Sequence, residues 1–209
     1  MIRILLVDDH AVVREGYRRL LERRADLRIE AEAGSAEEAL QRLREFVPDL
    51  IILDLSLPNM GGIELTRRIL QRQPDARILA FSMHRDPLFA AQAIRAGALG
   101  YVTKSSSPDV LIQAVYKVAR KEEVLSPDIA PEMALILLHG ESNPAKELNP
   151  REFEILRLLL DGIAVEEIGN ILNISPKTVQ NVHYQIKAKL GVKTDIELAR
   201  LAMKLKLID

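Results

Sequence analysis

Along the first 120 residues, short and nearly continuous aliphatic runs alternate with amphipathic stretches. Residues 2–7, 50–53, 77–81 and 99–102 have the apolar texture of strands buried on both faces of a sheet, and residues 28–33 form a weaker fifth run. Between them, apolar positions recur at helical spacing: Val12, Val13, Tyr17, Leu20 and Leu21, then Ala39, Leu40 and Leu43, then Ile63, Leu65, Ile69 and Leu70. Residues 89–94 and 110–118 continue the series. Five strand–helix units predict an α/β domain over residues 1–122, with a doubly wound, five-stranded parallel sheet.

The texture then changes. Ser126-Pro127 and Ala130-Pro131 interrupt helix, residues 132–138 suit a short helix, and Gly140, Ser142, Asn143 and Pro144 punctuate a polar stretch. Residues 123–146 therefore read as a linker. Over residues 147–209 strand signals vanish, and four helices are expected at 151–160, 165–172, 176–190 and 195–206, with Gly162 and Gly191 as C-terminal caps. The second domain is thus all-α.

Composition adds exclusions. The chain has no cysteine, which rules out a disulfide framework and cysteine-ligated zinc and suits a reducing, cytoplasmic compartment. No apolar run approaches the roughly 18 residues of a membrane span. The first run meets Asp8 and Asp9 too early for a signal peptide and reads as a strand. A net charge of -1 says nothing about partners, so any charged surface must come from local segregation.

Ligands of an open parallel sheet bind beyond the carboxyl ends of its strands. Asp8 and Asp9 end the first strand, Asp54 the third and Ser82 the fourth, and Lys104 follows the fifth. Singly, each is an ordinary cap, turn or solvated residue; together they place three carboxylates, a hydroxyl and an ammonium on one rim. Crowded carboxylates repel, and a hard divalent cation such as Mg²⁺ relieves them. The lysine is a point charge suited to a phosphoryl oxygen.

The segments Leu5-Leu6-Val7-Asp8-Asp9-His10, Leu53-Asp54-Leu55-Ser56-Leu57-Pro58 and Tyr101-Val102-Thr103-Lys104 resemble the signatures of two-component receiver domains, which are flavodoxin-like. The resemblance implies that Asp54 accepts a phosphoryl group from a histidine kinase. It further implies that Asp8, Asp9, Asp54 and the carbonyl of Ser56 hold Mg²⁺, that Lys104 and Ser82 bind the phosphoryl oxygens, and that Tyr101 is a switch aromatic. Ser105 stands where many receivers have proline, so the isomer of the preceding peptide is open. The scattered His10, His84, His139 and His183 read as surface residues without ligand spacing, His84 being placed to influence dephosphorylation.

In the second domain a short helix, a turn at Asn173-Ile174 and a long helix opened by Ser175-Pro176 make a helix-turn-helix, whose second helix enters a DNA major groove. Residues 173–193 carry Lys177, Lys187, Lys189 and Lys193 and no acid, whereas residues 147–169 are acidic. Leu148-Asn149-Pro150-Arg151-Glu152 and Ile174-Ser175-Pro176-Lys177-Thr178-Val179 resemble LuxR-type DNA-binding domains. Joined to a receiver, this is similar to the NarL/FixJ response regulators. By that likeness Gln180, Asn181 and Tyr184 face base edges, while Lys177, Thr178, Lys187 and Lys189 meet phosphates. The resemblance implies a homodimer on double-stranded promoter DNA, paired through the fourth helix, and a transcription regulator rather than an enzyme. Alternatives are a constitutive DNA-binding protein with a scaffold receiver, a phosphatase, and a helix-turn-helix that takes protein or RNA.

Overall fold

A computed structural model describes residues 1–85, 87–131, 133, 148–205 and 207. Contacts divide the chain into two units, residues 1–138 and 139–209, each with its own buried centre.

The aliphatic runs of the first unit form a parallel sheet: β1 (Ile2–Val7), β2 (Leu27–Ala33), β3 (Leu50–Leu53), β4 (Ile78–Ser82), β5 (Gly100–Thr103) and β6 (Val124–Leu125). Their spatial order is β2-β1-β3-β4-β5-β6. Side chains alternate across a strand, so each run must be apolar throughout to serve both faces. Ile4 and Leu6 pair in register with Leu50 and Ile52 and join Leu21, Val115 and Val118 in one cluster. This face is covered by α1 (Ala11–Leu21) and α5 (Pro108–Ala119). The opposite face lies under α2 (Ala36–Glu45), α3 (Gly62–Arg72) and α4 (Pro87–Arg95), which contact one another in sequence. Each fully buried Leu or Ile contributes about 1.5–3 kcal/mol.

The doubly wound sheet matches expectation but has six strands instead of five. Val124-Leu125, within the stretch expected to be linker, pair with Gly100 and Tyr101. Two residues are too few for an apolar pattern to announce a strand. Beyond β6, Ile129 and Met133 are buried. Most of the short helix expected at residues 132–138 lies outside the described residues.

The second unit contains α6 (Pro150–Leu160), α7 (Val165–Ile171), α8 (Pro176–Lys189) and α9 (Asp195–Lys204). Phe153, Leu156, Ile168, Val179, Ile186 and Leu198 fill its centre. Asn149 and Glu152 close a capping box on α6, and Thr194 and Glu197 another on α9. Gly162 and Gly191 follow the C-caps of α6 and α8 with positive φ, as expected of those positions.

Candidate functional site

Register builds the rim. Val7 lies opposite Leu53, so the next residues of β1 and β3, Asp8 and Asp54, emerge side by side. Ser82 pairs with Thr103, which places Lys104 at the same edge, its N–H donating to the Ser82 carbonyl at 2.7 Å. The Lys104 ammonium lies 2.6 Å from Asp8 Oδ2 and 2.6 Å from Asp54 Oδ2. All three side chains are buried, none more than 7% exposed. The second Asp54 oxygen accepts the Ser56 N–H at 3.0 Å. The chain has no cis peptide among the described residues, which settles the bond before Ser105 as trans.

Burial pushes the Asp54 carboxyl above its ordinary range, and Lys104 and the Ser56 N–H offset part of that. Burial works to lower Lys104, but Asp54 and Asp8 prevail and hold the ammonium above its ordinary value. Lys104 is therefore a fixed cation at the centre of the rim.

The other expected residues surround this triad. Ser82 is fully buried, and its hydroxyl accepts the His84 N–H at 3.2 Å. Asp9 is partly exposed, its Oδ1 lying 2.7 Å from His10 Nδ1. Tyr101 is completely buried, with its hydroxyl donating to the His84 carbonyl at 2.7 Å. The ring is therefore held inward in this conformation.

Two histidines have more structured surroundings than their scatter suggested. His84 Nε2 is 3.2 Å from Ser56 Oγ, and its ring stacks on Phe89 at 4.1 Å. Asp8, Asp9 and His10 form a group whose donor atoms lie within 4.8 Å of one another. Spacing between histidines misses this, because the relevant neighbours are the adjacent aspartates. Sequence reasoning also missed Arg14, which donates to the Asp8 carbonyl and to Glu32 of β2. Thr103 was missed too: buried beside Lys104, its hydroxyl donates to Asp128 just past β6 at 2.6 Å.

In the second unit α7 and α8 meet at a tight turn. Asn173 takes a left-handed φ of 51°, and the Ile174 N–H donates to the Gly169 carbonyl at 2.9 Å. A Cβ on Gly169 would stand 2.8 Å from the Ile174 carbonyl oxygen, so the approach requires glycine. Ser175 caps α8 by accepting the Thr178 N–H at 3.1 Å. Val179 and Ile186 are buried, which turns Lys177, Gln180, Asn181 and Tyr184 outward on the opposite face, all exposed. Thr178 is exposed beside them. Lys187 and Lys189 are engaged within the unit, Lys187 with Asp195 at 2.8 Å and Lys189 with the buried Glu152 at 2.7 Å. On α9, Leu198 and Ala202 face the core while Ile196 and Met203 are open to solvent.

Residues 4–116 match the response regulator receiver domain, and residues 146–202 match the bacterial regulatory proteins of the luxR family. The chain is 36% identical to the response regulator UvrY of Escherichia coli (strain K12), over 98% of this chain and 94% of that protein. It resembles RcsB from Salmonella enterica serovar Typhimurium bound to promoter rprA in the presence of phosphomimetic BeF3- (27% identity, TM-score 0.66, 96% of this chain and 97% of that one). It is likewise similar to a structure of two RcsB dimers bound to two parallel DNAs (26% identity, TM-score 0.61, 97% and 98%). The chain therefore belongs to the response regulators of two-component systems, in the NarL/FixJ family that joins a receiver to a LuxR-type helix-turn-helix.

Proposed function

We propose that this response regulator controls transcription through a phosphoryl group on Asp54. The observation that carries the reading is Lys104, held by Asp8 and Asp54 at 2.6 Å each on the buried rim. The Asp54 carboxylate attacks the phosphorus of a kinase phosphohistidine; the new O–P bond forms as the P–N bond breaks and the imidazole leaves. Lys104 is already charged and desolvated there, so it stabilises the developing phosphoryl oxygens without reorganising solvent. Ser82 offers a hydroxyl to the same group. As Ser82 engages the phosphoryl group, its contact with the His84 N–H changes, and His84 is the residue whose carbonyl anchors Tyr101. The β4–α4 segment is thereby biased toward a second arrangement.

The donor set fits Mg²⁺. Asp8, Asp9 and Asp54 supply carboxylate oxygens, Ser56 has a carbonyl at the same turn, and Asp9 is partly open to water. Bound there, the ion neutralises charge on the transferring group. The cytoplasm, where kinase and promoter are both available, is the compartment this function requires; no described helix is long and apolar enough to cross a membrane.

On DNA, α8 enters the major groove with Gln180, Asn181 and Tyr184 toward base edges and Lys177 and Thr178 toward phosphates. Lys187 and Lys189 reach phosphates only by exchanging their internal carboxylates. Two copies pair through the open side of α9, where Ile196, Ala199 and Met203 recur at helical spacing. The reading is tested by treating the protein with Mg²⁺ and acetyl phosphate, then following mass, oligomeric state and promoter retention, with Asp54→Ala alongside. A phosphoryl adduct on the wild type alone, with tighter DNA binding, supports it. DNA binding unchanged by a confirmed adduct leaves the receiver as scaffold.

A further inference from the structure

We propose that Asp128, just past β6, is a positioning residue for phosphoryl transfer: acting through the Thr103 hydroxyl, it holds the turn after β5 in the shape that delivers Lys104 to the rim. The inference rests on reading Asp54 as the phosphoacceptor and adds to that reaction a residue outside the Asp8, Asp54 and Lys104 triad. The Ser106 N–H donates to the Thr103 carbonyl at 3.0 Å, so Lys104 and Ser105 form the corner of the turn. Movement of Thr103 or Ser105 therefore moves the backbone from which the ammonium is hung.

A hydroxyl has one proton to give and two lone pairs to receive. Thr103 gives its proton to Asp128 Oδ2 at 2.6 Å, which leaves its oxygen to accept the Ser105 hydroxyl at 3.1 Å. Ser105 Oγ in turn accepts the Arg85 Nε–H at 3.0 Å. Arg85, Ser105, Thr103 and Asp128 thus make one directed chain with a cation at its head and a carboxylate at its foot, an arrangement in which successive bonds strengthen one another. It pins the residues on both sides of Lys104. Ser106 Oγ, 2.9 Å from the Thr103 hydroxyl, closes the far side of the turn.

The foot of the chain is firmly set. Ser126 donates its N–H to the Tyr101 carbonyl at 2.9 Å, which ties the segment carrying Asp128 to the sheet. Burial works to raise the Asp128 carboxyl, but the Ser126 and Thr103 hydroxyls prevail and hold it below the ordinary range, with Arg85 adding to the effect. Thr103 is completely buried, so without Asp128 its hydroxyl has no water to turn to. It must take its proton elsewhere in the turn, the Ser105 contact is lost, and Lys104 is released from one placement into several. A displacement of about 1 Å at a reacting centre can cost roughly a hundred-fold in rate. Asp8, Asp9 and Asp54 hang from β1 and β3, so cation binding is left alone.

The full-length protein, Asp128→Ala, Thr103→Val and the double variant are treated with acetyl phosphate at saturating Mg²⁺, and adduct formation is timed by intact mass. Calorimetry gives the Mg²⁺ affinity of each, and circular dichroism confirms folding at the assay temperature. Adduct formation is expected to be about ten-fold or more slower in Asp128→Ala. Thr103→Val should be as slow and the double variant no slower, with Mg²⁺ affinity changed by less than about two-fold throughout. Thr103→Val keeps the buried shape and carries the test should Asp128→Ala fail to fold. Asp128→Asn, which retains an acceptor for Thr103, should recover most of the rate. A wild-type rate in Asp128→Ala or Thr103→Val overturns the proposal. So does a parallel fall in Mg²⁺ affinity, or additive losses in the double variant, either of which makes Asp128 a clasp for the outer strand only. No adduct on the wild type sinks the reading of Asp54, and the proposal with it.

Discussion

Lys104 shows how one residue can serve stability and chemistry together. Its ammonium sits between two buried carboxylates, and removing it leaves both acids without their cation. Lys104→Met is therefore expected to destabilise the receiver by about 3–5 kcal/mol in chelator, the usual cost of orphaning a buried charge. Added Mg²⁺ should recover part of the loss by binding the carboxylates left behind. Thermal melts with and without Mg²⁺ check this; a variant that melts like wild type in chelator counts against the burial argument. At this scale much of the site was legible in the sequence. Asp8, Asp54, Ser82 and Lys104 were found because each ends a strand of recognisable texture. What stayed hidden was contact: Arg14 behind Asp8, His84 over Ser56, and Asp128 on Thr103 are joined across 6, 28 and 25 positions respectively, and no local pattern encodes such pairings.

Among the elements, the α7–α8 corner depends most on a single small residue. Gly169→Ala would drive a methyl group into the Ile174 carbonyl at 2.8 Å, where the obstacle is backbone and cannot swing aside. A cost of about 1–3 kcal/mol is expected, with DNA affinity falling further because α8 is re-aimed; chemical denaturation and promoter titration measure the two effects separately. The α8–α9 pair carries a pH dependence. Burial holds His183 below its ordinary value, Asp195 opposes this and Lys187 reinforces it. A histidine whose folded value is depressed binds fewer protons folded than unfolded near neutrality. Its contribution to stability is complete above the unfolded value of roughly 6.5 and is lost as pH falls through the lower folded value. The protection factors of α8 amides, taken against the intrinsic exchange rate at each pH, should fall on acidification from pH 7 toward 5, and His183→Gln should flatten that slope. Helices of this unit were well marked in the sequence because caps punctuate them. The engagement of Lys187 and Lys189 was not, since charge counting records sign and leaves out partners.

For the whole molecule, a receiver and a helix-turn-helix each carry their own core, and the sequence separated them by the loss of strand texture after residue 120. The boundary itself was harder to see. Val124 and Leu125 donate a last pair of ladder contacts to β5, Ser126 donates its N–H to the Tyr101 carbonyl at 2.9 Å, and Asp128 holds Thr103. The short outer strand is therefore the receiver's selvage, and it sets where the protein can be cut or grafted. A fragment ending at residue 122 would bare the β5 edge, a template for intermolecular strand addition. It should melt lower and associate at concentrations where a fragment ending at residue 133 stays monomeric, a difference that light scattering and calorimetry would resolve. Chimeric regulators that place this receiver on a foreign output domain should accordingly carry its tail through Met133, because a junction at the end of α5 would discard the strand that pairs with Tyr101.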